Sequence, residues 1–403
     1  LDKIKIGLEL ECHLIDAEGN ISNEADKVLK DPENNGNIIP ECAKSMIEII
    51  ASPSADLETA VGNFTKETVN AINIAKKHGF RLLPSITLGA DAMVEQNSSP
   101  RYTSKRKVLG EKKRQIEHHI CGTHVHVDIL EGEQCIKQYH VMNAMDPVFS
   151  LMASSPFFLG INTVNNYRVH LYRNVVFRDF PLQGQLLPYP ESIDAALARQ
   201  EEAYLQWIAA VNGAGFDGEG YTLLNTCWGP LKISERTLEA RGSDANILSK
   251  VYALAALYKG AVNFIQEEDP KVLIADENAP IRELFKPRNG RILLPHYQTL
   301  KKLEHAGIHH ALKDTQVRTY LSNIVTLSER SLQPKERHYL MPFKHSLRSA
   351  TNLSDEIIDY ADRRLSQSES IDAKAARELR QHVSDRMTDD IKRNHPTYAK
   401  QMN

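Results

Sequence analysis

Four short segments between Gly7 and Arg241 place acids, histidines or an arginine at every second position. They are G-L-E-L-E with Glu9 and Glu11, S-M-I-E-I-I with Glu48, G-T-H-V-H-V-D with His124, His126 and Asp128, and T-L-E-A-R with Glu239 and Arg241. Side chains alternate faces along a β-strand, so within each segment the polar residues share one face. Leu8, Leu10, Val125, Val127, Leu238 and Ala240 fall between them and suit a buried opposite face. The pattern calls for a sheet with one apolar surface and one surface lined by carboxylates and imidazoles. Such a surface suits divalent metal ions and phosphate.

The rest of the chain supports a mixed fold. Residues 3–15 read as a strand with an i, i+2 apolar face, and a turn-rich stretch from Asp31 to Asn37 leads into a strand near 44–51. Residues 57–78 read as a helix capped by Ser54 or Asp56, with Gly79 past its end, and a strand follows at 80–84. Gly89 to Lys107 is polar and reads as irregular, before the H-V-H strand near 122–130. Helices are expected at 133–146 and 192–211, separated by a proline-containing loop over 155–191. After the L-E-A-R strand, S-D-A-N caps an apolar helix over 244–266, and further helices are expected near 296–306, 311–330, 354–367 and 371–392. The class is α+β: a mostly antiparallel sheet packed with helices, then a helical C-terminal region. We read 1–403 as one catalytic domain, with the sheet and all motifs in 1–242 and a mainly helical part in 243–403.

Composition narrows the function classes. The 403 residues suffice for a sizeable core, and a formal net charge of −3 gives no general attraction to nucleic acid or anionic lipid. No apolar run approaches the roughly 18 residues of a membrane helix, and Leu1 to Leu14 alternate like a strand rather than a signal segment. Cys12, Cys42, Cys121, Cys135 and Cys227 are odd in number and scattered, which fits reduced thiols in a cytoplasmic protein. A homo-oligomer would be ordinary at this size, though no segment identifies an interface.

Glu9, Glu11, Glu48, Glu239 and Glu41 supply more carboxylates than one structural ion needs, and crowded like charges call for cations between them. A surplus of this kind suits two or more ions that neutralise a polyphosphate. His124 can add an imidazole ligand, His126 can donate to a phosphate, and Arg241 can grip a phosphoryl group with two parallel hydrogen bonds. Each fragment alone also fits a solvated strand face or, for Glu239 and Arg241, a surface ion pair. The combination carries the reading.

These residues resemble the carboxylate–amine ligases of the glutamate–cysteine ligase type, whose fold is similar to that of glutamine synthetase. The matching pieces are G-L-E-L-E at 7–11, E-C-A-K-S-M-I-E at 41–48, G-T-H-V-H-V at 122–127, S-S-P-F-F-L-G at 154–160 and T-L-E-A-R at 237–241, in the family's order. The resemblance implies an ATP- and Mg²⁺-dependent ligase, with Mn²⁺ as a substitute, that activates a carboxylate (glutamate or another amino acid) as an acyl phosphate for attack by an amine. It implies Glu9, Glu11, Glu41, Glu48, His124 and Glu239 as metal ligands, His126 and Arg241 towards nucleotide, and Arg241 and Glu48 as catalytic groups. Two segments depart from the family pattern. G-T-H-P-F is absent, with S-I-T-L-G-A-D at 85–91 near its place, and the arginine–proline pair before the last strand is missing, with Pro230 and Lys232 nearby. Both departures bear on the acceptor more than on the nucleotide chemistry.

Arg101, Arg168 and Arg173 are candidates to hold the carboxylate substrate, because a guanidinium matches carboxylate geometry. Lys105, Arg106 and Lys107 read as a solvated charge run or, alternatively, as a basic loop beside ATP phosphates, and Asp128 as the wet end of its strand. Small-molecule carboxylate and amine partners follow, with no nucleic acid and no membrane. Two other readings compete: a metal-dependent hydrolase built on His124 and His126, and a non-catalytic protein that binds a nucleotide or amino acid.

Overall fold

A computed structural model describes residues 3–226, 231–232, 236–365 and 369–402. Labels below cover the strands and the helices of eight or more residues. The strands are β1 (Ile6–Ile15), β2 (Ile38–Pro40), β3 (Met46–Ile50), β4 (Arg81–Leu83), β5 (Gly122–Asp128), β6 (Leu231–Lys232), β7 (Thr237–Asp244), β8 (Lys271–Ile274) and β9 (Arg291–Leu294). The helices are α1 (Leu57–Lys77), α2 (Pro100–Leu109), α3 (Glu111–His118), α4 (Glu133–Ala144), α5 (Ile193–Gly213), α6 (Leu248–Glu268), α7 (Tyr297–His309), α8 (Thr315–Arg330), α9 (Met341–Ser349), α10 (Leu353–Tyr360) and α11 (Ala373–Asn394).

A seven-stranded sheet runs β2-β3-β1-β5-β7-β6, with β4 also paired to β1. Every pairing in it is antiparallel. Strand β1 alternates as its sequence predicts: Ile6, Leu8, Leu10, Cys12 and Leu14 are buried, while Glu9 and Glu11 keep partial exposure. Helices α1 and α6 pack on the sheet and on each other, where Thr65 and Tyr252 share a 2.7 Å hydrogen bond. One hydrophobic cluster extends from Ile4 to Ile391.

Helix α6 is buried at every residue from Lys250 to Val262. Its two lysines are satisfied internally: Lys250 donates to the Pro342 carbonyl and Ser346, and Lys259 to the Ala55 carbonyl and Glu336. At Gly260 a Cβ would overlap the Ser328 carbonyl of α8, so only glycine permits this helix–helix approach.

Four expectations need correction. The polar stretch before β5 is not irregular, since α2 starts inside it with Ser99 accepting from Tyr102 N and Pro100 in the first turn. Only Ser104 and Leu109 of α2 are buried, so no apolar stripe announces it. The S-D-A-N segment does not cap a helix at 244. Strand β7 runs through Asp244, whose buried carboxylate accepts from Ser154 N (2.9 Å), Ser155 Oγ (2.6 Å) and Asn166 Nδ2 (3.1 Å), and α6 begins at Leu248. The 155–191 loop contains helical turns at Tyr167–Leu171, Tyr172–Val176 and Pro181–Gly184. The C-terminal part includes a parallel pair, β8 with β9.

Helix α1 is capped by Asp56, which accepts from Thr59 N, and α10 continues as a wider turn through Ala361–Leu365. The predicted extension to residue 367, together with Cys227 and Pro230, lies outside the described residues. The other four cysteines are buried free thiols. Among the described residues, no helix is long and apolar enough to cross a membrane.

Three buried histidines give the fold a pH signature. His13 lies 2.9 Å from Ser45 Oγ and 3.3 Å from the His119 carbonyl, His119 lies 2.6 Å from Thr87 Oγ1, and neither nitrogen of His118 has a hydrogen-bond partner. Burial, helped by neighbouring cationic groups, holds His13 and His118 down to about 3 and His119 to about 4. Folded-state values below the unfolded one mean that the unfolded chain takes up protons first. Their contribution is therefore complete above about pH 6.5 and declines as pH falls, by up to about 1.4 kcal/mol per pH unit for each ring. We expect the melting temperature to drop steadily from pH 7 to pH 5 and the slope to flatten in His118→Gln. A flat wild-type profile over that window would contradict the assignment.

Candidate metal centre and adjoining pocket

Strand register builds the site. Across β1 and its neighbours, Glu9 stands opposite His124, Glu11 opposite Glu48, and on the far side of β5 His126 opposite Glu239. Glu41, one residue beyond β2, joins them. His124 is the hub. Its Nδ1 lies 3.0 Å from Glu9, 3.6 Å from Glu239 and 3.7 Å from Glu48, and its Nε2 lies 3.8 Å from Glu11.

Ligand atoms fall into three trios, each with all members within 4.8 Å: Glu9, Glu48 and His124; Glu9, His126 and Glu239; Glu11, Glu41 and Glu48. The six residues expected as metal ligands and His126 are all included. No trio holds both imidazoles, so the histidine strand serves two different trios rather than forming a paired zinc-hydrolase ligand set.

The electrostatics are those of anions forced together. Burial, then Glu41, Glu9 and Glu11, push the Glu48 carboxyl up to about 11. Burial and Glu11 push Glu41 up to about 7. Burial opposes the charge on Glu9, yet the hydrogen bond with His124 and the adjacent His126 ring hold its carboxyl far below the usual range. Glu239 is likewise held at about 2 against burial by Arg241, His124 and His126. His124 is raised, because Glu9, Glu11 and Glu239 outweigh its burial. Divalent cations would relieve this repulsion without protons.

The donor set fits them. His126 Nε2 is buried without an aligned hydrogen bond although it lies 2.9 Å from Glu9 Oε1, and oxygens outnumber nitrogens in every trio. Hard ions that accept a few imidazole ligands, Mg²⁺ or Mn²⁺, match such a set.

Arg241 Nε and Nη2 donate to Glu239 at 2.8–3.1 Å, and Lys232 Nζ lies 3.2 Å from the same carboxylate. The ion pair is thus real but mostly buried, and it borders a cavity of about 180 Å³. That cavity is lined by the acids Glu11 and Glu41 together with Arg101, Lys105 and Arg168. Arg168 Nη1 donates to the Arg241 carbonyl at 3.1 Å. Its guanidinium lies so close over Gly122 that a Cβ there would overlap it, which explains the glycine that opens β5. The Nε atoms of Arg101 and Arg168 are buried without hydrogen-bond partners.

Several sequence-predicted residues lie elsewhere or act differently. Arg173 does not line the cavity. It is fully buried, donates to both oxygens of Asp146 (2.9 and 2.6 Å), and pairs with Glu304. Lys105 is not part of a solvated run: it points inward and pairs with Glu117, whereas Arg106 and Lys107 are exposed. Asp128 sits at the wet end of β5 and accepts from Lys5 N. S-S-P-F-F-L-G contributes the loop anchor to Asp244, and Thr87 of S-I-T-L-G-A-D bonds His119. Lys232, Lys105 and Glu117 were not among the site residues expected from sequence. Lys232 carried a signal as the basic residue near the missing arginine–proline pair, and Lys105 as part of a basic run.

A family model described as glutamate-cysteine ligase family 2 matches residues 5–378. A curated relative named "Putative glutamate–cysteine ligase 2-2", from Legionella pneumophila (strain Paris), is 30% identical over 210 residues, covering 47% of this chain and 49% of the relative. The chain thus spans about half the length of the curated relatives it matches. Among solved structures, a glutamate–cysteine ligase from Francisella tularensis in complex with AMP superposes with a TM-score of 0.59 at 12% identity, covering 99% of this chain and 91% of that one. A bifunctional glutathione synthetase from Pasteurella multocida gives 0.60 at 13% identity, covering 97% and 53%. At such identities the likeness is one of fold.

Proposed function

The chain belongs to glutamate–cysteine ligase family 2, and from that premise we propose that it is a carboxylate–amine ligase that uses ATP and Mg²⁺ to form an amide. One observation carries the reading: seven acids and imidazoles, six from four strands and one just past β2, meet in three ligand-distance trios beside a cavity lined by arginines. Mg²⁺, held by those trios, supplies charge neutralisation along the triphosphate.

The chain's own residues do the positioning. Glu9, shared by two trios, and Glu48, also shared by two, fix the spacing of the cation sites. Arg241 is our assignment for the transferring phosphoryl group, whose developing charge a guanidinium stabilises, and Glu239, which takes Nε and Nη2, holds that guanidinium in place. Arg101 and Arg168 take the carboxylate substrate through donors that have no protein partner. The carboxylate oxygen attacks the γ-phosphorus and ADP leaves. The amine then attacks the acyl carbon and phosphate leaves. No side chain forms a covalent bond, and the rate gain comes from orientation and electrostatics.

The test is incubation with ATP, Mg²⁺ and a matrix of amino acids and amines, read by phosphate release and product mass. ATP-independent product, or none with any pair, would reject the reading. With an active pair identified, Arg101→Ala should raise the carboxylate KM by roughly tenfold to a hundredfold, the scale of one charged hydrogen bond lost, with a smaller effect on the KM for ATP. An unchanged carboxylate KM would remove Arg101 from the substrate site.

A further inference from the structure

Outside the glutamate basin the chain gathers a second set of metal-ligating side chains that the proposed chemistry does not use. His305 and His309 stand one turn apart on α7, with ring centroids 4.5 Å apart. His170, from the helical turn Tyr167–Leu171, brings a third ring 6.2 Å from His309. His310 follows at the end of α7, 6.1 Å from His309. Two imidazoles that share a tetrahedral ion at N–metal distances near 2.0–2.1 Å keep their centroids about 5 Å apart. The separations of His305 and His170 from His309 bracket that value.

Among the described residues, none of His170, His305 and His309 is paired with a carboxylate. The polar partner of His170 is Asn174 Nδ2, at 3.3 Å. Burial and the three neighbouring imidazoles push His309 down, which keeps its ring neutral and able to ligate. The backbone beneath is already joined: Asn165 N and Asn166 N donate to the Ile308 carbonyl at 3.0 and 3.1 Å, and Arg173 pairs with Glu304. The ring nitrogens do not converge as those of the basin do. His305 is exposed and stands i, i+4 from His309 on α7, so its ring is free of packing that would hold it away from a shared ion.

We propose that His170, His305 and His309 form a site for a borderline transition-metal ion of the Zn²⁺ class, distinct from the Mg²⁺-type basin. An all-imidazole donor set selects Zn²⁺, Ni²⁺ or Cu²⁺ and gives Mg²⁺ little. The bound ion cross-links α7 to the helical segment that carries Arg168 and Tyr172, both at the wall of the arginine-lined cavity. This inference stands on residues outside the ligase assignment and does not depend on it.

The experiment is calorimetric titration of the tag-free chain with ZnCl₂ in excess Mg²⁺, paired with thermal melting. One Zn²⁺ per chain is expected, with a rise in melting temperature that Ni²⁺ reproduces and additional Mg²⁺ does not. His309→Ala and His170→Ala should each weaken Zn²⁺ by at least about tenfold, a loss that follows even from disturbing an outer-shell partner. Both should also abolish the thermal shift, while Glu48→Gln keeps it. His305→Ala, an exposed substitution that leaves the fold intact, should weaken binding in the same way. Zn²⁺ affinity unchanged in His305→Ala and His309→Ala overturns the site. Affinity lost in those two but kept in His170→Ala overturns the cross-link.

Discussion

Glu48→Gln is expected to abolish Mg²⁺-dependent ATP turnover while leaving the metal-free fold as stable as the parent. Glu48 is buried among Glu9, Glu11 and Glu41, and its carboxyl holds a proton up to about pH 11. A neutral amide of the same shape therefore replaces what the metal-free protein already contains. With cations bound the comparison changes, because Glu48 belongs to two of the three trios and an amide brings no charge to either. We expect kcat/KM to fall by about two orders of magnitude or more, the scale on which one preorganised electrostatic partner of a transition state acts. Mg²⁺ should raise the melting temperature of the parent and not of the variant. Glu9→Ala should lose activity equally but also lower metal-free stability, since His124 and His126 would be left without the carboxylate that both face. Parent-like turnover in both variants would remove the metal assignment.

Arg173→Ala should be the most destabilising single substitution in the segment beside the cavity. Its guanidinium is fully buried between Asp146 and Glu304, and truncation leaves Asp146 without its cation and Glu304 with Lys301 alone. Breaking a buried pair from one side costs about 3–5 kcal/mol. A denaturant or thermal melt measures it, with Arg106→Ala as the exposed control that should stay within about 0.5 kcal/mol. An Arg173→Ala midpoint equal to that of the control would show that the ion cluster contributes nothing.

The sheet and its polar face were legible because a period of two leaves little choice: one apolar row must go inward, so Glu9, Glu11, His124 and His126 go to the other side. Strand order was not, since nothing in G-L-E-L-E says that β1 sits between β3 and β5. Helix α2 escaped because it has no apolar stripe, and with it went the inward turn of Lys105. The two loop arginines show the same limit. Read as loop, Arg168 and Arg173 were equivalent. On the helical turns they occupy, five residues bring them to different sides, one at the cavity and one between Asp146 and Glu304. Asp244 was mistaken for a cap because a capping sequence and a strand-ending acid look alike until the donors of a distant loop are known.

Those donors have a consequence for how this protein could change its diet. Ser155 accepts from Arg168 N and donates to Asp244, and Arg168 in turn holds the carbonyl of Arg241. The Arg168 main chain makes the first link and its guanidinium the last, so truncating that side chain removes a bond to the strand that carries Arg241 and keeps the Ser155 anchor. Arg101 hangs on a separate helix outside that circuit. Under the proposed ligase function, new substrate preferences should therefore arise by drift along the α2 wall, with Arg168 kept for its bond to the strand that carries Arg241.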